Sequence, residues 1–132
     1  MNVSEIMSSD VHVIEMAGSV SEAAQLMDRA NTGCLVVVDR GAVAGIITER
    51  DMVLGCLVEG HISTECKVYK HMTTLAESAD PYMDIGDAAI MMLDNEISLM
   101  PVTDGSNVLG LVFAEDISRT IELEDEPQHV LI

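Results

Sequence analysis

The segment Gly45-Ile46-Ile47-Thr48-Glu49-Arg50-Asp51 ends an apolar run and opens a stretch of helical character, with a hydroxyl and a carboxylate three residues apart. Such spacing gathers Thr48, Asp51 and the free N–H groups of a first helical turn around one point, and a helix start favours anionic groups. The carboxylate could accept from a sugar diol while the hydroxyl and amides hold a phosphate. The same Thr-x-x-Asp pattern is also that of ordinary helix capping, and spacing alone fits both readings equally. A second copy, Gly110-Leu111-Val112-Phe113-Ala114-Glu115-Asp116, keeps the aspartate but replaces the hydroxyl with Phe113 and Arg50 with Glu115.

No other constellation competes with this one. Nothing places a nucleophile, a base and an orienting group together, so no enzyme activity is expected. Cys34, Cys56 and Cys66 form no CxxC pair, and an odd count suits a reducing compartment better than a disulfide framework. Cys66 with His71, and His61 nearby, would make half a metal site. With no second thiolate and no clear fourth ligand, no metal site is expected.

These residues must be positioned by a unit that the chain contains twice. Val3, Met7, Ala23, Met27, Val37, Gly45 and Asp51 reappear at one constant offset as Val68, Met72, Ala88, Met92, Val102, Gly110 and Asp116. A register held without gaps implies two copies of one supersecondary unit related by a pseudo-two-fold axis. Each copy reads strand, helix, strand, strand, helix. Ser19-Val20-Ser21-Glu22 has the form of a capping box ahead of the helical run Ala23, Ala24, Leu26, Met27 and Ala30, and Asp84 and Asp87 hold the equivalent places in the second copy. Leu35–Val38 and Val43–Ile47 read as paired strands around Asp39-Arg40-Gly41, repeated by Met100–Thr103 and Val108–Val112. Closing helices are expected over about 49–58 and 115–123. The expected division is a first unit at 1–60, a linker at 61–67, a second unit at 68–123 and an acidic tail at 124–132.

Composition narrows the function classes. Forty-eight per cent apolar residues can fill a core in a chain of 132 residues, and with one Phe, two Tyr and ten Met its packing is aliphatic and plastic. A formal charge of −17, with only six Lys and Arg, argues against nucleic acid and against a polybasic membrane contact. No apolar run approaches the roughly 18 residues of a membrane span. The start MNVSEIMSSD lacks the basic and apolar regions of a signal peptide, so a cytoplasmic location is expected.

Taken together and in order, the Met7-Ser8 and Met72-Thr73 openings, the SVSEAAQLM and DIGDAAIMM helices, the GCLVVVD and SLMPVTD strands, and GIITERD with GLVFAED resemble a tandem pair of cystathionine-β-synthase (CBS) domains, a Bateman module, over about residues 1–121. The resemblance implies an α/β (α+β) fold of two pseudo-symmetric β-α-β-β-α units packed sheet to sheet. It also implies clefts for an adenosyl ligand such as AMP, ADP, ATP or S-adenosylmethionine, with no other cofactor required. The first site would comprise Ile47, Thr48, Arg50 and Asp51 with Thr74, Leu75, Ala76, Ile97 and Ser98. The second, degraded site would comprise Ser9, Asp10, Val11, Thr32, Phe113 and Asp116. Where nucleotide-sensing relatives carry basic residues, this chain has Gly33, Ser98 and Leu99, which favours AMP or S-adenosylmethionine over ATP.

The leading expectation is therefore a stand-alone regulatory module that signals to an unidentified protein partner. The alternative is a ligand-free dimerisation scaffold. A homodimer is expected in either case, formed through Met52, Val53, Leu54 and Leu57 with Ile117 and Ile121 on the closing helices.

Overall fold

The computed structural model describes residues 1–74 and 77–125. The acidic tail expected at 124–132 falls almost wholly outside them. The order is a 3₁₀ turn at Val3–Glu5, β1 (Val13–Glu15), α1 (Val20–Ala30), β2 (Cys34–Asp39), β3 (Ala42–Thr48) and α2 (Glu49–Met52), which continues as a π-helical turn at Val53–Leu57. A second 3₁₀ turn at Val68–Lys70 follows, then β4 (Thr73–Thr74), α3 (Ile85–Asp94), β5 (Leu99–Asp104), β6 (Asn107–Phe113) and α4 (Ala114–Asp125).

The chain forms two compact units: a continuous one, Val11–Ala76, and a discontinuous one made of Met1–Asp10 and the chain from Glu77 onward. This differs from the division expected from the repeat, because the opening segment of each copy folds with the sheet of the other. Thr73 and Thr74 pair with Ile46 and Gly45 as β4. Ser8, the equivalent of Thr73, bridges to Leu111, the equivalent of Ile46. The glycines make this close approach geometrically feasible. A Cβ at Gly45 would collide with the Thr73 carbonyl oxygen, and one at Gly110 would stand 2.6 Å from the Ser8 carbonyl oxygen.

In the continuous unit β1 lies parallel to β2, β2 antiparallel to β3 and β3 antiparallel to β4. The β2–β3 turn uses Arg40 at φ 54° and Gly41 at φ 83°, two successive left-handed residues of the kind a two-residue hairpin needs. Ser19 Oγ accepts from Glu22 N at 3.0 Å and starts α1. The buried stripe Val20, Ala23 and Met27 then packs on Leu35, Val37 and Ile47, with Cys56, Cys66 and Val68 in the same core.

The discontinuous unit repeats the arrangement with β5 and β6 antiparallel. Its first strand is reduced to a parallel bridge between Ala79 and Val102. Asp84 Oδ2 accepts from Gly86 N at 2.9 Å and starts α3. Val3, fully buried, joins Ile85, Ala88, Met92, Met100, Val112 and Ile117 in this core. Both hairpins break register at the same repeat position, Val37/Val38 and Val102/Thr103.

Two expectations for the closing helices need correction. The first helix is not regular to Val58, because its second half widens into the π turn. Met52 and Ile117 are 8% and 1% exposed and belong to the cores, so neither contributes to an open docking face. Val53, Leu54 and Leu57 are exposed as expected, and Ile121 is partly buried. Among the described residues no helix is long and apolar enough to cross a membrane.

Candidate functional site

Strand β3 ends at Thr48, and the cap there is reciprocal. Asp51 Oδ2 accepts from Thr48 N at 2.9 Å, and Thr48 Oγ1 accepts from Asp51 N at 3.2 Å. Both side chains are half-buried, and Arg50 is exposed beside them. The capping reading of Thr-x-x-Asp is thus realised. It does not exhaust the carboxylate, which offers about four lone-pair directions. The cap holds that carboxylate in one orientation at the rim of the sheet.

Glu49 N donates to Gly33 O at 3.0 Å, joining the start of α2 to the β2 entrance. The Glu49 carboxylate stands over Gly33, about where a side chain at that position would point, at 3.4 Å from its Cβ site. A surface pocket of about 430 Å³ runs from there between α1 and α2, lined by Asp28, Thr32, Gly33, Glu49 and the apolar Met27 and Met52. Among the described residues, two carboxylates and no cation line it. The Thr32 hydroxyl is engaged with Cys34, donating to its carbonyl at 3.3 Å and accepting from its N–H at 3.4 Å.

The residues expected of the first site distribute unevenly. Ile47, Thr48, Arg50, Asp51 and Thr74 all belong to the continuous unit, where Thr74 pairs with Gly45 on the strand that ends at Thr48. Ile97 and Ser98 belong to the discontinuous unit, where Ile97 N donates to Met92 O at 3.0 Å and Ser98 O accepts from Ala114 N at 2.8 Å. Leu75 and Ala76 lie outside the described residues.

Of the second set, Ser9, Asp10, Phe113 and Asp116 belong to the discontinuous unit and Val11 and Thr32 to the continuous one. Phe113 pairs with Leu99 at the end of β6. Asp116 accepts from Arg119 Nη1 at 3.3 Å, and Arg119 Nη2 reaches Glu115 at 3.2 Å. Sequence reasoning missed Arg119 as a cation beside Asp116. Its signal was the i,i+3 and i,i+4 spacing from Asp116 and Glu115 on one helix face.

The fold also brings together the cysteine and histidines for which no site was expected. One ligand atom each from His61, Cys66 and His71 lies within 4.8 Å of the others. Beside this group, the Cys56 thiol donates to Cys66 Sγ at 2.8 Å. The hydrogen bond shared with Cys56, together with burial, pushes the Cys66 thiol up to about 11. Burial raises the Cys34 thiol as well, opposed by its contact with Thr32.

Comparison with known proteins gives these geometries a context. The profile of the CBS domain family matches residues 3–55 and 68–123. The Bacillus subtilis CBS domain-containing protein YhcV is 30% identical over 117 residues, covering 89% of this chain and 83% of that protein. The solved structure of a hexameric CBS-CP12 protein from bloom-forming cyanobacteria is similar with a TM-score of 0.84 at 26% identity, over 99% of this chain and 74% of that one. The CBS domain pair of protein MJ0100, solved in complex with 5′-methylthioadenosine and S-adenosyl-L-methionine, is similar with a TM-score of 0.78 at 29% identity, over 94% of this chain and 98% of that one.

Proposed function

The chain belongs to the CBS domain family as a tandem, regulatory pair, and from that premise we propose that it binds an adenosyl ligand at the start of α2 and relays the occupancy to a partner protein. The observation that carries this reading is the reciprocal Thr48–Asp51 cap. It presents a carboxylate in fixed orientation to a ribose diol without further ordering cost, and the similar MJ0100 pair was solved with two adenosyl compounds. No catalytic step enters this reading, and a cytoplasmic location accords with it.

Charge selects among adenosyl ligands. Asp28 and Glu49 line the neighbouring pocket, and Arg50 is the nearest cation to the cap in sequence. Each added phosphate meets like charge there, whereas the sulfonium of S-adenosylmethionine meets opposite charge. The affinity order is S-adenosylmethionine and AMP above ADP, and ADP above ATP. Competition titration at constant free metal measures it, and a preference for ATP over AMP refutes it. In thermal melts, a ligand at 100 times its dissociation constant stabilises the native state by about 2.7 kcal/mol, several degrees in Tm.

The scaffold reading has its own observation. Val53, Leu54, Leu57, Val58 and Ile62 are each at least 45% exposed along one stretch of chain, an apolar surface suited to a second copy. It becomes the preferred reading if none of the adenosyl compounds shifts the melt. A homodimer is part of both readings, and a monomeric mass in light scattering at micromolar concentration would remove it.

A further inference from the structure

Cys56, His61, Cys66 and His71 recur at every fifth position, a spacing that neither a strand nor a helix would place on one face. They meet because the chain between them is irregular. The π turn at Val53–Leu57 directs Cys56 inward, where it is fully buried. His61 N then donates to Cys56 O at 2.9 Å, folding the following loop back over the turn. Cys66 N donates to Ile62 O at 3.0 Å, and Val20 N donates to Cys66 O at 2.9 Å, fixing Cys66 against the start of α1. The 3₁₀ turn at Val68–Lys70 delivers His71, whose Nδ1 would be 2.5 Å from a Cβ at position 55. Gly55 therefore leaves the space that the imidazole occupies.

The other copy of the repeat supplies an internal control. At the constant offset, Cys56 corresponds to Ile121, Cys66 to Met1 and His71 to Ile6. Ile6 and Ile121 pack against the apolar core of the discontinuous unit. The fold is thus satisfied by hydrocarbon at the positions of Cys56 and His71. Soft and borderline metal donors stand there in one copy only.

We propose that His61, Cys66 and His71 bind a single divalent transition cation of the zinc class. Two imidazoles and a thiolate are the donors that zinc prefers, and they exclude magnesium and calcium, which take oxygen. Bond lengths of about 2.0–2.3 Å put tetrahedral donors roughly 3.3–3.8 Å apart. The present atoms lie within 4.8 Å, and His61, being exposed, is free to close the difference by changing rotamer. Cys56 Sγ, 2.8 Å from Cys66 Sγ, would have to move about 1 Å away from it to take a fourth tetrahedral position. The site opens on a pocket of about 570 Å³, with Glu65 and Lys70 at its rim, so a cation has an entry path. Binding tethers the loop after α2 to the turn that leads into β4, coupling metal occupancy to the strand beside Gly45.

Cobalt(II) titration of the reduced, metal-stripped 132-residue chain tests this by absorption. The expected result is saturation at one cobalt per chain, with intense visible d–d bands of a tetrahedral site, a near-ultraviolet thiolate-to-cobalt band, and displacement by zinc. His61→Asn and His71→Asn should each weaken binding at least tenfold, and Cys66→Ser should weaken the thiolate band. Cys34→Ser should leave all of these unchanged. His61 is exposed, so its variant keeps the test decisive if the buried positions do not tolerate change. A weak octahedral spectrum without the thiolate band, affinity indifferent to His61 and His71, or a Cys56–Cys66 disulfide formed in the presence of zinc would overturn the assignment.

Discussion

Asp51 and Thr48 hold each other: the carboxylate accepts the threonine N–H at 2.9 Å while the threonine hydroxyl accepts the aspartate N–H at 3.2 Å. Removing Asp51 therefore has two consequences, one for the helix and one for the ligand. Replacing it with asparagine separates them, because an amide oxygen can still accept from Thr48 N while the charge is lost. Asp51→Asn should leave Tm within a few degrees yet weaken adenosyl-ligand binding by about 1.5–3 kcal/mol, roughly ten- to a hundredfold. Asp116, already engaged by Arg119 and lacking a capping hydroxyl at Phe113, should show a smaller loss in Asp116→Asn. Titration calorimetry on both variants measures the contrast, and equal losses would assign the ligand to the wrong aspartate.

Gly45 and Gly110 should be the least replaceable glycines in the described chain. A Cβ at Gly110 would overlap the Ser8 carbonyl oxygen at 2.6 Å and the Met7 side chain at 2.8 Å, so the opening segment would have to move. Gly110→Ala is expected to cost about 1–3 kcal/mol. Gly33→Ala, whose Cβ would have the exposed Glu49 carboxyl as its nearest neighbour at an ordinary 3.4 Å, should change stability by less than about 0.5 kcal/mol. Denaturant melts compare the two. Similar midpoints would show that the opening segment does not depend on that close approach.

Cys34 carries a pH dependence whose sign is fixed by its burial. Its thiol is raised above the ordinary 9.0, so the folded chain keeps the proton that the unfolded chain gives up first. The resulting stabilisation is complete below pH 9 and is lost as pH rises through the folded value. Relative to Cys34→Ala, the parent chain should lose stability more steeply above pH 9. At pH 8, alkylation of Cys34 should be slower than that of an unstructured cysteine, and mass spectrometry after timed labelling reads this directly.

What the sequence determined by itself is local. Ser19, Thr48 and Asp84 announced their helices because a cap is an interaction over two or three residues, and the hairpins were legible because apolar runs flank turn residues such as Arg40-Gly41. The constant offset disclosed the duplication for the same reason: repeated local signals need no knowledge of the tertiary path. Only the tertiary structure decided which sheet each opening segment joins. Periodicity predicts that Val3 is buried but not in which core, and the pairing of Ser8 with Leu111 and of Thr73 with Ile46 joins residues far apart in the chain. The meeting of Cys56, His61, Cys66 and His71 is of the same kind. It depends on a π turn, a space left by Gly55 and backbone bonds from Val68 to Gly18 and from Val20 to Cys66, none of which a periodic pattern encodes.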